Sequence, residues 1–102
     1  MLTIKNIGFN YRGSPNGSDV VIVELNENID ERIIMNSWKE KISVPTFLGI
    51  LYFDVNLSGN TICLSTTDKE KFNDALCGSS DKLKNSIENY VSILNKRIKD
   101  LH

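Results

Sequence analysis

Residues 80–101 read Ser80-Asp81-Lys82-Leu83-Lys84-Asn85-Ser86-Ile87-Glu88-Asn89-Tyr90-Val91-Ser92-Ile93-Leu94-Asn95-Lys96-Arg97-Ile98-Lys99-Asp100-Leu101. Within this stretch Leu83, Ile87, Val91, Leu94, Ile98 and Leu101 recur at spacings of four, four, three, four and three, with Tyr90 beside them. Such spacing lines one side of a helix. Ser79 or Ser80 suits the N-cap and Asp81 the positive end of the helix dipole, while Lys96, Arg97 and Lys99 suit the negative end. A stripe of five turns has to be covered by something. Strict heptads persist for too few repeats to specify a coiled-coil seam, so the expected cover is a sheet.

Working back from this helix, Thr67-Asp68-Lys69-Glu70 has the form of a capping box. Phe72, Ala75 and Leu76 supply the buried stripe of a short helix, and Gly78 fits the left-handed position after its end. Before it, Phe47, Gly49, Leu51, Phe53, Val55 and Leu57 occupy every second position and define the strongest strand of the chain. The intervening Leu48, Ile50 and Tyr52 are also apolar, which predicts that the first half of this strand is covered on both faces. Ser58-Gly59-Asn60 turns it back into a second strand, Thr61-Ile62-Cys63-Leu64-Ser65.

The N-terminal half begins with a strand over residues 2–11 whose apolar positions change parity, Leu2 and Ile4 against Ile7, Phe9 and Tyr11. That change predicts a bulge near Lys5-Asn6 or burial on both sides. Arg12 to Ser18 is rich in turn formers and reads as a loop, leading to a strand in which Val21, Val23 and Leu25 share a face opposite Glu24. Ile29 to Ser43 carries mixed signals. Asn28 followed by Glu31 suits a helix start and Ile34, Trp38 and Ile42 recur every four residues, yet Ile33-Ile34-Met35 also fits a strand. The expectation is a helix ending before Pro45, because the residue before proline disfavours the helical region. Trp38, on that helical face, reads as core. The order is then ββαββαα: a single α+β domain over residues 1–102, with an antiparallel sheet of about four strands and helices packed on one face.

Composition narrows the function. Of the 102 residues, 40% are hydrophobic and 25% charged, ordinary values for one folded domain. Twelve basic and thirteen acidic side chains give a net charge of −1, without the basic footprint of a nucleic-acid binder. No apolar run approaches the ~20 residues of a membrane span, and Met1-Leu2-Thr3-Ile4-Lys5 lacks the form of a secretory signal, so the expected location is the cytoplasm. The two cysteines, Cys63 and Cys77, have no histidine near either and read as buried free thiols rather than a disulfide or metal site. The single histidine is the terminal His102, which leaves no catalytic triad or dyad. Asp54, Asp19 and Glu24 have no spacing that marks an acid–base pair and read as solvated charge. No catalytic residue, metal site or cofactor site is expected. The glycines between Arg12 and Ser18 lack the lysine and spacing of a phosphate-binding loop.

One segment stands out by its charge. Between Asp19 and Glu31 lie five carboxylates, Asp19, Glu24, Glu27, Asp30 and Glu31, and no lysine or arginine. A solvated hairpin face explains them; so does a surface that steers and pairs with a basic protein. Tyr11, an aromatic at a strand end beside Arg12, joins them as a candidate contact.

In size, acidic patching, α+β make-up and lack of catalytic residues, the chain resembles the immunity proteins of bacterial toxin systems. That resemblance is one of general character and no motif carries it. It implies a cytoplasmic inhibitor that binds a basic toxin domain, such as a nuclease, through the acidic residues named above. The competing class is a structural or assembly protein that forms a homodimer, or docks into a complex, through the outer side of its last helix or an open sheet edge.

Overall fold

The computed structural model describes residues 1–10, 19–37, 39–78 and 80–101, apart from the side chains of residues 9 and 10. The expected loop 12–18, Tyr11, Trp38, the alternative cap Ser79 and His102 therefore lie outside the described residues. Five strands and three helices follow in the order β1 (Ile4–Asn10), β2 (Asp19–Leu25), α1 (Glu31–Asn36), β3 (Lys41–Thr46), β4 (Gly49–Ser58), β5 (Thr61–Thr66), α2 (Lys69–Cys77) and α3 (Ser80–Asp100). The strands form one curled sheet in the spatial order β1-β2-β5-β4-β3, antiparallel throughout. The β1–β2 register slips between Ile4 and Asn6, where the parity change predicted a bulge.

Period-2 burial gives β2, β3, β4 and β5 their inner face. Val21, Val23 and Leu25 of β2, Leu51, Phe53, Val55 and Leu57 of β4, and Ile62 and Leu64 of β5 all point toward the helices and are buried. Phe53 meets Phe72 of α2 edge to face, ring centroids 5.9 Å apart, a favoured aromatic geometry. The stripe of α3 fills the rest of the concave side: Leu83, Ile87, Tyr90, Val91 and Leu94 are buried, and Ile98 and Leu101 pack at its margin. The turn into β5 uses Gly59 at φ +57, the left-handed region that favours glycine.

The expected helix over 29–43 is wrong in its second half, and the sheet gains a fifth strand there. α1 stops at Asn36, Lys39 takes a positive φ of 67, and Lys41–Thr46 then alternates buried Ile42 and Val44 with exposed Lys41, Ser43 and Pro45. Ile34 and Ile42 share a four-residue beat by coincidence. The period-2 set Ile42 and Val44 is satisfied better by pairing with β4 than by another helical turn. Proline is tolerated because β3 is an edge strand. The Val55 N–H donates to the Glu40 carbonyl at 3.0 Å, and the alternation this sets turns the backbone of Lys41, Ser43 and Pro45 outward, where proline's missing donor costs nothing. Both helix starts are also displaced from expectation. Asp30 caps α1 by accepting from the Arg32 N–H at 2.9 Å, and Asp68 rather than Thr67 caps α2, accepting from the Lys71 N–H at 3.1 Å.

α3 is fastened to both sheet edges by polar contacts. Near β1, the Asn95 side chain pairs with the Leu2 backbone in both directions, accepting from its N–H at 2.7 Å and donating to its carbonyl at 3.0 Å. Along β3, Ser86 Oγ donates to the Ser43 carbonyl at 3.2 Å. Arg97 grips Glu40 with both terminal nitrogens, Nη2 to Oε2 at 3.0 Å, and Nη1 also donates to Ser37 Oγ at 3.2 Å. The Arg97 hydrogen bond holds the Glu40 carboxyl below its ordinary value of 4.5. Burial first, and then the Glu40 charge, push the Tyr90 phenol up to about 12.

Two tests follow from this packing. Leu94→Ala, at a fully buried site, should lower the unfolding free energy in urea by about 2–5 kcal/mol. Ile93→Ala, one position away and 46% exposed, should cost less than about 1 kcal/mol. Because the folded pKa of Glu40 is depressed, the Glu40–Arg97 contribution is whole above pH 4.5 and is lost as pH falls through the lowered value. Urea midpoints measured across that acid window should therefore fall less steeply for Glu40→Gln than for the wild type.

Candidate interaction surface

Helices cover one face of the sheet and leave the other open, and the open face is unexpectedly apolar at one end. Leu48, Ile50 and Tyr52 are 59%, 50% and 57% exposed, and the neighbouring Phe47 is 78% exposed. Here the expectation of cover on both sides of β4 fails, because among the described residues no helix is left for the second face. In register, Ile50 lies beside Pro45 and Tyr52 beside Ser43, so the apolar set runs along the β3–β4 hairpin. Farther along the same face, Asp54 meets Lys41 at 3.7 Å, and Ile22 and half-buried Cys63 are register partners. Neither thiol is buried as expected, Cys77 being exposed at the end of α2.

The hairpin end is held rigidly. Thr46 Oγ1 donates to the Gly49 carbonyl at 2.5 Å and accepts from the Leu48 N–H at 3.2 Å, closing the turn within itself. Gly49 has φ +124, a conformation L side chains rarely adopt. The Phe47 N–H donates to Asp74 Oδ2 of α2 at 2.7 Å, tying the turn to the helical layer. The Phe47 ring lies against Gly78, which ends α2 at φ −122 rather than in the expected left-handed position and is needed instead for this close approach, since an added Cβ would come within 3.2 Å of the ring; the ring also lies under Lys82 Nζ, 5.8 Å from its centroid. Aromatic and aliphatic side chains on so fixed a turn have little ordering entropy left to lose in any contact.

The acidic segment is not gathered into one face. Asp19, at the start of β2, points into the core with 1% exposure, and its Oδ2 has no hydrogen-bond partner among the described residues. Glu24 is five residues farther along β2, about 17 Å away at strand rise, and lies 3.5 Å from Lys5. Glu27 meets the N-terminal ammonium at 3.3 Å, and Asp30 is both the α1 cap and the partner of Arg32 at 2.9 Å. Glu31 is exposed in the first turn of α1. The neutralising cations are Lys5, the amino terminus and Arg32, all outside the window 19–31, which is why counting charge within that window overstates its field. The signal for the hairpin was present in the sequence as the second apolar parity of residues 48–52, read there as burial.

Two grooves flank β3. One of about 270 Å³ lies between β3 and α3, lined by Glu40, Ser43, Ser86, Asn89, Tyr90 and Arg97; another of about 550 Å³ lies beyond the end of β3, by Lys39, Asp54 and Asn56. In the first, Glu40 and Arg97 are already engaged with each other. Among the described residues no group of three or more His, Cys, Asp or Glu is arranged to hold a metal ion, and no helix is long and apolar enough to cross a membrane.

Comparison of the chain with protein-family models, with curated proteins and with solved structures finds no match.

Proposed function

We propose that this chain is a non-catalytic protein-binding module whose contact surface is the open side of the β3–β4 hairpin. The observation that carries the reading is the run of exposed apolar side chains Leu48, Ile50 and Tyr52 along the hairpin, with exposed Phe47 at its tip turned toward the helical layer, on a turn pinned by Thr46, Gly49 and Asp74. Exposed apolar clusters of this kind are costly to keep on a soluble domain and mark interaction sites. Phenylalanine and tyrosine are also among the residues enriched where partners are bound. A cytoplasmic inhibitor that covers a toxic enzyme, in the manner of an immunity protein, is the concrete form this takes. Its binding energy comes from the hairpin, and Glu24, Glu27 and Glu31 serve at most as peripheral steering charges.

A second reading, assembly with another copy through a sheet edge, has β1 in its favour, since that strand pairs on one side only. Light scattering across a micromolar concentration series separates the two, and the module reading expects a monomer throughout. A photo-crosslinking residue at position 52, incorporated in the producing cells, should capture a partner protein. Leu48→Ser with Ile50→Ser should weaken that purified partner by tenfold or more, about 1.4 kcal/mol, whereas Glu24→Lys with Glu27→Lys should change affinity by less. If charge reversal abolishes binding and the hairpin variant does not, the acidic segment is the interface and the hairpin reading fails. If the partner is a toxic enzyme, co-expression of wild-type chain, but not of the hairpin variant, should restore growth.

A further inference from the structure

The hairpin offers main-chain groups as well as side chains. β4 has ten residues and its neighbour β5 six, and the pairing between them ends at Asp54 and Ser65. Just past that point Thr66 Oγ1 accepts from the Asp68 N–H at 3.2 Å, and the chain leaves the sheet for α2. The first part of β4, residues 49–53, therefore has β3 on one side and, among the described residues, no strand on the other. The alternation of an antiparallel ladder decides which groups this leaves over. The Val55 N–H donates to the Glu40 carbonyl, so the bonds to β3 fall on Leu51 and Phe53, and the N–H and C=O groups of Ile50 and Tyr52 point the other way, into the place that β5 has vacated. Among the described residues they have no hydrogen-bond partner there. The side chains of the same two residues lie on the open face of the sheet.

We propose that the partner binds by adding a strand: an extended segment of a second protein lies along Ile50 to Tyr52 in the line that β5 leaves, pairs its main chain with theirs, and sets apolar side chains of one parity beside Ile50 and Tyr52 on the open face. This rests on the reading of the hairpin as the contact surface. Unpaired peptide groups at a sheet edge are matched by another extended backbone, which supplies donors and acceptors at the same spacing. A helix laid on the hairpin has its peptide groups spent on itself and would leave those of Ile50 and Tyr52 unpaired. The outer edge of the hairpin is closed to the same use, because Ser86 takes the Ser43 carbonyl and Pro45 has no N–H. The vacated place is bounded at one end by the turn from Thr66 to Asp68, so it admits a single narrow segment rather than the edge of a second folded sheet.

The test takes the purified chain through selection from a random-peptide display library, with the Leu48→Ser, Ile50→Ser variant, shown to be folded by circular dichroism, as the counter-selection. For each synthetic peptide that binds the wild type alone, N-methylation at one backbone position after another should weaken binding about tenfold or more at every second position of a short run and little at those between, because a strand turns alternate N–H groups toward its neighbour. Hydrogen exchange of the Ile50 and Tyr52 amides in the isotope-labelled chain should slow about tenfold or more when the peptide is bound. Hairpin-dependent peptides that tolerate methylation throughout, or that leave those two amides exchanging as before, overturn strand addition while leaving the contact surface standing. A selection that yields no hairpin-dependent peptide overturns both. Slowing of the same amides with rising concentration of the chain alone makes the occupant a second copy and overturns the proposal as well.

Discussion

Burial of the α3 stripe in the concave side of the sheet is the interaction on which the other elements depend. Among the described residues, Leu83, Ile87, Val91 and Leu94 have no other apolar surface large enough to cover them, and the inner residues of β2, β4 and β5 have no lid but the helices. At about 25 cal/mol per Å² of apolar surface removed from water, this contact between layers outweighs any single polar bond in the molecule. Hydrophobic burial has no direction, however, and would let the helix slide or rotate in the trough. Register comes from the polar ties at its two sides. Asn95 acts on the Leu2 peptide much as a strand neighbour would, while Ser86 and Arg97 reach the opposite edge at Ser43 and Glu40. The same contacts blunt the β3 edge, whose Ser43 carbonyl is taken and whose Pro45 has no N–H to offer.

What could be read from the chain alone follows from how local each signal is. The α3 stripe, the β4–β5 hairpin and the bulge in β1 rest on periodicities within one element, and the structure has all three. Residues 29–46 do not behave that way. Ile33, Ile34, Ile42 and Val44 satisfy two periods at once, and what separates α1 from β3 is the turn at Lys39 and the vacant edge of β4, a partner that lies later in the chain. Displacement of the α2 cap from Thr67 to Asp68 is a shift of one position. It arises because Thr66 Oγ1 already accepts from the Asp68 N–H at 3.2 Å, closing the strand end just before the helix begins. The acidic segment misled for a related reason. Its counter-charges come from Lys5, the amino terminus and Arg32, and a count confined to residues 19–31 cannot contain them.

The apolar residues of 48–52 belong to a different category, since their exposure is not forced by the fold. A two-layer α+β domain needs only one apolar parity per strand, and β5 shows how the outer parity is ordinarily filled, with Thr61, Cys63 and Ser65. β4 follows that rule from Asp54 onward and departs from it at Ile50 and Tyr52 alone. The departure coincides with the place where local structure is most constrained: Gly49 in a conformation few residues tolerate, Thr46 closing the turn, and the Asp74 carboxylate devoted to one backbone N–H. A tip that was merely a connection could be more polar and free of a tie to α2. Fixing a turn while leaving its aromatic and aliphatic side chains in water costs solubility and gains nothing for stability, which is the physical ground for proposing that a partner covers them.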